Sequence, residues 1–102
     1  MKITHIIENN IITIFLEGSL NTNTSSILSD ELNKIIPKNK LKINLIMDFK
    51  KLEYISSAGL RVLLSTQKRI NDVVGTMIIR NVNPTIMEVF ELTGFSDFLT
   101  IE

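Results

Sequence analysis

The chain contains one short stretch, residues 41–49, that is apolar at both odd and even positions. Its apolar members after Leu41 are Ile43, Leu45, Ile46, Met47 and Phe49. A segment this short, branched and apolar on both parities is typical of a central β-strand that is covered on both faces. The stretch therefore predicts a sheet with helices packed against it, because strands of this kind are buried by neighbouring layers.

The predicted strand leads into two serines and then into a helical pattern. Ser56 and Ser57 are followed by Ala58 and Gly59, and the apolar residues beyond them recur at helical spacing from Leu60 onward. The hydroxyls thus lie near a helix N-terminus, where backbone N–H groups are free and the helix dipole is positive. From the residues alone, the simpler role for Ser57 is to cap the helix.

The rest of the chain alternates between strand and helix patterns. Strands are predicted at residues 1–7, 11–17 and 76–80, with a short edge strand at 98–101. Helices are predicted from a cap at Thr24, Ser25 or Ser26 to Pro37, from Leu60 to Gly75, and from Pro84 to Gly94. The order is β-β-α-β-α-β-α, with a final β. It predicts an α/β fold, one domain over residues 1–102, with a mixed and mostly parallel sheet.

Composition and charge argue against several classes of function. Eleven basic residues balance eleven acidic ones, which argues against direct nucleic-acid binding. No apolar run approaches the roughly 20 residues of a membrane span and the N-terminus lacks a signal-peptide pattern, so we expect no membrane insertion and a cytoplasmic location. The chain has no cysteine and its one histidine, His5, lies in the first predicted strand. We therefore expect no metal site, no Ser-His-Asp triad, no cofactor and no enzymatic activity.

One group of basic residues has two interpretations. Lys68 and Arg69 are adjacent, and Arg61 precedes them at helical spacing. Such a group is either an ordinary solvated helix face or part of a surface that binds a partner. The sequence leaves both interpretations open.

The segment from Asp48 to Leu60 resembles the signature of STAS domains, specifically those of bacterial anti-sigma factor antagonists. The matching residues are Asp48-Phe49-x-x-Leu52-x-Tyr54-Ile55-Ser56-Ser57-Ala58-Gly59-Leu60. Three further segments resemble that family in the expected order, namely Leu16–Asn21, Gly75–Met77 and Phe90–Phe95. The resemblance covers nearly the whole chain and implies that residues 1–102 are one STAS domain.

The resemblance also implies a function. In that family the unphosphorylated antagonist binds an anti-sigma factor that is also a serine kinase, and this binding releases the sigma factor. The kinase then phosphorylates one serine of the antagonist, and a serine phosphatase restores it. The residue that accepts the phosphate lies two positions before the loop glycine. In this chain that residue is Ser57, with Ser56 as the alternative. The partner-binding loop implied by the match comprises Asn21, Thr22, Asn23, Ser56, Ser57, Ala58, Gly59 and Arg61.

Two positions depart from the family pattern and leave other functions open. Ser56 and Asn21 stand where the family has acidic residues. Fewer negative charges favour a phosphate at Ser57, but a kinase that recognised those carboxylates would lose contacts. The alternative is an adaptor subunit of a transport complex or a sensory scaffold, in which the loop docks without being phosphorylated. A third possible function is that of an enzyme with Ser57 as its nucleophile. The sequence offers no base that would activate this serine.

Overall fold

The computed structural model describes residues 1–102 and alternates strands with helices in the predicted order. Its elements are β1 (Lys2–Glu8), β2 (Ile11–Leu20), α1 (Thr22–Ile35), β3 (Asn44–Ile55), α2 (Ser57–Asp72), β4 (Thr76–Arg80), α3 (Pro84–Thr93), a 3-10 turn (Phe95–Asp97) and β5 (Thr100–Ile101). The strands form one sheet in sequence order. β1 and β2 are antiparallel, and every other neighbouring pair is parallel. The predicted α/β fold with a mixed, mostly parallel sheet is confirmed.

The hydrophobic core lies on one face of the sheet. Ile14 of β2 and Met47 of β3 pair across the sheet, and both side chains are fully buried. Each helix connects two neighbouring parallel strands, and crossovers of one hand place all three helices on the same face. Phe90 of α3 packs there against Phe49, with 6.5 Å between the ring centroids. The expectation that β3 is covered on both faces is wrong at Ile46, which lies on the opposite face and is only half-buried.

β2 and β3 both run further than the sequence predicts. β2 ends at Leu20 rather than at residue 17, and β3 spans Asn44–Ile55 rather than residues 41–49. The register between them shifts twice, from Phe15–Asp48 to Glu17–Lys51 and from Gly18–Leu52 to Ser19–Tyr54. At each shift β3 carries one extra residue, which is a β-bulge. The bulges interrupt the alternation of apolar and polar residues, so the pattern of the sequence hides the second half of β3.

Two helices also begin earlier than predicted. Asn21 caps α1, rather than one of Thr24–Ser26, and Ser56 caps α2, which therefore begins ahead of Leu60. Apolar spacing detects only turns that carry large apolar side chains. The residues that open the two helices, Thr22–Ser25 of α1 and Ser57–Gly59 of α2, are polar or small, so the spacing misses them.

The last third of the chain follows its prediction more closely. β4 has the predicted bounds, and α3 opens at Asn83 and Pro84 and ends at Gly94. Gly94 has a φ of 77°, a left-handed conformation that glycine adopts without steric cost. The final strand is shorter than predicted, because the N–H groups of Phe98 and Leu99 both donate to the carbonyl of Phe95 and so continue the 3-10 turn. None of the helices combines the length and the apolar composition that crossing a bilayer requires.

Candidate functional site

The candidate site lies at the edge of the sheet where the parallel strands β2 and β3 end together. Their last paired residues are Leu20 and Ile55. Each is followed at once by the residue that caps the next helix, Asn21 for α1 and Ser56 for α2. The Ser56 N–H donates a hydrogen bond of 2.8 Å to the carbonyl of Leu20. The N-termini of α1 and α2 are therefore held side by side at this edge.

Asn21 orders the first of these two helix starts. Its side chain accepts a hydrogen bond of 3.0 Å from the Thr24 N–H, and the Thr24 hydroxyl accepts one of 2.8 Å from the Asn21 N–H. This reciprocal pair is a capping box. The Thr24 hydroxyl also donates to the carbonyl of Ser19 at 2.7 Å. Asn21 therefore orders this helix start through hydrogen bonds, and its contact with a partner stays a prediction.

Ser56, and not Ser57, caps α2. The Ser56 side chain accepts a hydrogen bond of 3.2 Å from the Gly59 N–H, and its carbonyl accepts one of 3.0 Å from the Leu60 N–H. Ser57 is the first residue of the helix, and its side chain is exposed and makes no hydrogen bond with the protein. The reading in which Ser57 merely caps the helix is therefore wrong, and its hydroxyl is free.

We expect Ser56→Ala to destabilise the folded chain by about 1 kcal/mol, because the substitution removes the acceptor for the Gly59 N–H. The matched variant Ser57→Ala should change the free energy of unfolding by less than about 0.5 kcal/mol, since no hydrogen bond is lost. Urea unfolding followed by circular dichroism measures both. Equal losses in the two variants would contradict this assignment of the cap.

Gly59 is required for close packing and not for a left-handed backbone conformation. Its φ is not positive, since the only glycines with positive φ are Gly18 and Gly94. A Cβ at position 59 would lie 2.8 Å from a side-chain carbon of Ile55 and 2.8 Å from one of Leu20. The glycine lets the first turn of α2 rest directly on the last pair of β2 and β3.

The residues of the predicted partner-binding loop come together at this edge. Thr22 and Asn23 are exposed in the first turn of α1, and Ala58 is half-buried in that of α2. Neither first turn contains an acidic residue. Arg61 is exposed one helical turn beyond Ser57 and forms no ion pair. The first turns of the two helices thus carry no negative charge, and a cation lies one helical turn from Ser57.

Asp48 has a structural role that the sequence interpretation missed. It is only 6% exposed, although carboxylates usually lie at the surface. Its carboxylate accepts hydrogen bonds from the Lys50 N–H (2.9 Å), Asn81 (3.1 Å) and Arg80 (3.2 Å). Burial raises the pKa of Asp48, but these hydrogen bonds and the charge of Arg80 outweigh burial and hold the pKa below its ordinary value of 3.8. The available signal was the position of this carboxylate inside an apolar run.

We expect Asp48→Asn to lower the free energy of unfolding by about 1–2 kcal/mol at neutral pH, because it weakens hydrogen bonds to a buried charge. The pKa of Asp48 is lower in the folded than in the unfolded chain. Its stabilising effect is therefore complete above the unfolded pKa of about 4 and is lost as pH falls through the folded pKa. Urea titrations across this range should show the two proteins converging in acid. Asp30→Asn, which changes an exposed carboxylate, serves as the control. A difference that stays constant into strong acid would contradict the prediction.

The one histidine that the sequence analysis singled out occupies an ordinary position. His5 is exposed on the edge strand β1, opposite Ile14 of β2. No three His, Cys, Asp or Glu side chains are grouped so that they could hold a metal ion.

Comparison with known proteins defines the family. The model of the STAS domain family matches residues 2–102. The chain therefore belongs to the STAS domain family, as the signature around Ser57 indicates.

Two relatives that the chain matches are anti-sigma factor antagonists. BtrV of Bordetella bronchiseptica, assigned as an anti-sigma factor antagonist, is 34% identical over 95 residues, which cover 93% of this chain and 80% of that protein. The anti-sigma F factor antagonist of Paenibacillus polymyxa is 25% identical over 91 residues, which cover 89% of this chain and 77% of that protein.

The fold is shared with solved structures of the Bacillus protein SpoIIAA. Its unphosphorylated form superposes with a TM-score of 0.75 at 19% identity, covering 99% of this chain and 87% of that one. Its phosphorylated form gives a TM-score of 0.73 at 19% identity, covering 99% and 91%. At this level of identity the likeness concerns the fold alone.

Proposed function

We propose that this chain is an anti-sigma factor antagonist whose binding is switched off by phosphorylation of Ser57. The unphosphorylated form binds an anti-sigma factor that is also a serine kinase, and thereby releases a sigma factor. A serine phosphatase restores the unphosphorylated form. The chain acts in the cytoplasm by binding rather than by catalysis. The observation that carries the proposal is the free, exposed hydroxyl of Ser57 at the start of α2.

The surroundings of Ser57 favour a phosphate. The first N–H groups of a helix have no intrahelical acceptor, and Ser56 satisfies only that of Gly59. The N–H groups of Ser57 and Ala58 remain for the phosphate oxygens, and the helix dipole adds to their effect. Ser56 is the poorer phosphate acceptor, because the residue is half-buried and its side-chain oxygen already serves as the cap of α2. The domain can therefore carry the modification at Ser57 without losing its fold.

The same phosphate opposes docking at this edge. It adds a charge of about −1.5 to −2 at neutral pH. A partner that covers Ser57 would bury this charge without an arranged counter-charge, which costs several kcal/mol in an interface. Tyr54, which is 52% exposed next to this edge, is the aromatic side chain best placed to anchor the partner. Since 1.4 kcal/mol is a factor of ten, such a cost reverses a micromolar association.

Phosphorylation by the partner kinase is the direct test. The purified chain is incubated with ATP and an anti-sigma factor kinase whose gene neighbours its own, and the modified residue is located by mass spectrometry. We expect phosphate on Ser57 in the wild type and in Ser56→Ala, and none in Ser57→Ala. Stable binding of the kinase without phosphate transfer would overturn the switch and favour the adaptor function. Phosphate on Ser56 would overturn the assignment of the acceptor.

A further inference from the structure

A basic groove runs along the outer surface of α2 towards the end of α1. Its volume is about 450 Å³. The basic side chains that line it are Lys38, Arg61, Lys68 and Arg69, and Asp72 is the one acidic side chain among its lining residues. The whole chain has no net charge, so this groove is a local concentration of positive charge.

Three of these four cations are free to bind. Lys38, Arg61 and Lys68 are exposed, and none of them lies within ion-pairing distance of a carboxylate. The ion pairs of the chain are elsewhere, between Lys34 and Glu31 and between Arg80 and Asp48. Free cations clustered in a groove attract an anionic surface and accelerate its association.

The fourth cation is held in place by the protein. The Arg69 guanidinium donates to the Asn33 side chain at 2.9 Å and to the Ile36 carbonyl at 3.1 Å. These contacts fix its position at the point where α1 ends, and a side chain that is already ordered loses less entropy on binding. Leu64 and Val73, both half-buried, add apolar surface to the groove. Apolar surface between cations suits a protein segment that carries both acidic and apolar residues.

Ser57 lies on the same stripe of α2 as two cations of the groove, one helical turn before Arg61. At 100° per residue, Ser57, Arg61 and Lys68 project within about 40° of one another, and Ser57 and Lys68 are about 16 Å apart along the helix. A partner segment that lies along this stripe reaches Ser57 at its end. A phosphate on Ser57 would compete for Arg61, which is one helical turn away and is the nearest cation of the groove.

We propose that the groove lined by Arg61, Lys68, Arg69 and Lys38 is a docking site for an acidic segment of the protein partner. The inference rests on the proposed function, since the partner is the one that also covers Ser57. The cations of the groove attract the acidic segment, and a phosphate on Ser57 weakens this attraction because it competes for Arg61. The basic group that the sequence left open is therefore assigned to a partner surface.

Titration with an oligo-glutamate peptide tests the groove without any kinase. Chemical shifts of backbone amides are followed by NMR at low ionic strength. We expect the largest shift changes at Arg61, Ser65, Lys68 and Arg69, and weaker binding at about 0.15 M salt, where exposed charges are screened. The double variant Arg61→Gln/Lys68→Gln should bind the peptide about fivefold more weakly, as expected for two exposed ion pairs.

The matched control is Lys50→Gln/Lys51→Gln, which removes the same charge at exposed positions of β3. It should leave the peptide affinity within twofold of the wild type, and urea unfolding confirms that both double variants fold. Equal weakening by the two double variants would overturn the proposal. Tighter binding of a single-stranded oligonucleotide than of the peptide would overturn it in favour of nucleic acid. The peptide experiment involves no phosphorylation, so its failure leaves the Ser57 switch intact, and the absence of phosphorylation leaves the groove intact.

Discussion

Ser57→Asp is expected to weaken binding of the anti-sigma factor partner by about 100-fold or more. The substitution puts a permanent negative charge at the first residue of α2, where the helix tolerates it. A partner that covers this position must then bury an unmatched charge, at a cost of several kcal/mol. Isothermal titration calorimetry with the unphosphorylated chain and the variant measures the loss directly.

Two variants separate this effect from nonspecific ones. Ser57→Ala should retain the affinity of the wild type within about threefold, because the free hydroxyl makes no hydrogen bond within the chain. Asn9→Asp adds the same charge in the turn between β1 and β2, at the opposite edge of the sheet. It should leave binding unchanged. If Ser57→Asp bound as tightly as the wild type, the switch would be refuted.

Gly59→Val is expected to reduce the free energy of unfolding by about 2–3 kcal/mol. A Cβ at this position would come within 2.8 Å of carbons of both Leu20 and Ile55, and the added methyl groups enlarge the overlap. Overpacking of this kind costs about 1–3 kcal/mol, and a β-branched side chain allows little rearrangement. Because the first turn of α2 is pushed away from the sheet, partner binding at Ser57 should weaken too. Urea unfolding and calorimetry report the two losses.

Ala58→Val is the matched control for Gly59→Val. It places the same side chain in the same helical turn, at a half-buried position. Its cost should stay below about 1 kcal/mol, which is the range of helix propensity. Similar losses for the two variants would show that β-branching in the first turn, and not contact with Leu20 and Ile55, is responsible.

Much of the fold follows from the spacing of apolar residues. Residues 76–80 and the helix between Pro84 and Gly94 were predicted almost to the residue, because proline and glycine mark the ends of α3 in the sequence itself. The order of strands and helices follows from the same spacing, and this order implies the parallel pairing of the later strands. The resemblance around Ser57 identified the family, which the comparison with known proteins confirmed.

The sequence predicts the roles of individual residues at the site less well. The choice between Ser56 and Ser57 as the cap depends on where α2 begins, and adjacent serines offer identical side chains at both positions. The buried role of Asp48 depends on Arg80, the last residue of the neighbouring strand β4, and on Asn81, which follows it. Nothing in the local sequence around Asp48 announces those partners. The role of Gly59 likewise depends on a contact with Leu20, far away in the chain.

The two bulges of β3 determine which changes of length this site can tolerate. Between Asp48 and Ile55 the strand carries two more residues than β2 does between Phe15 and Leu20. Deleting one of them would put the side chain of Ile55 on the outer face and turn Tyr54 inwards, since neighbouring side chains of a strand point in opposite directions. Variation in length among natural relatives should therefore spare this segment and gather in the connection between α1 and β3.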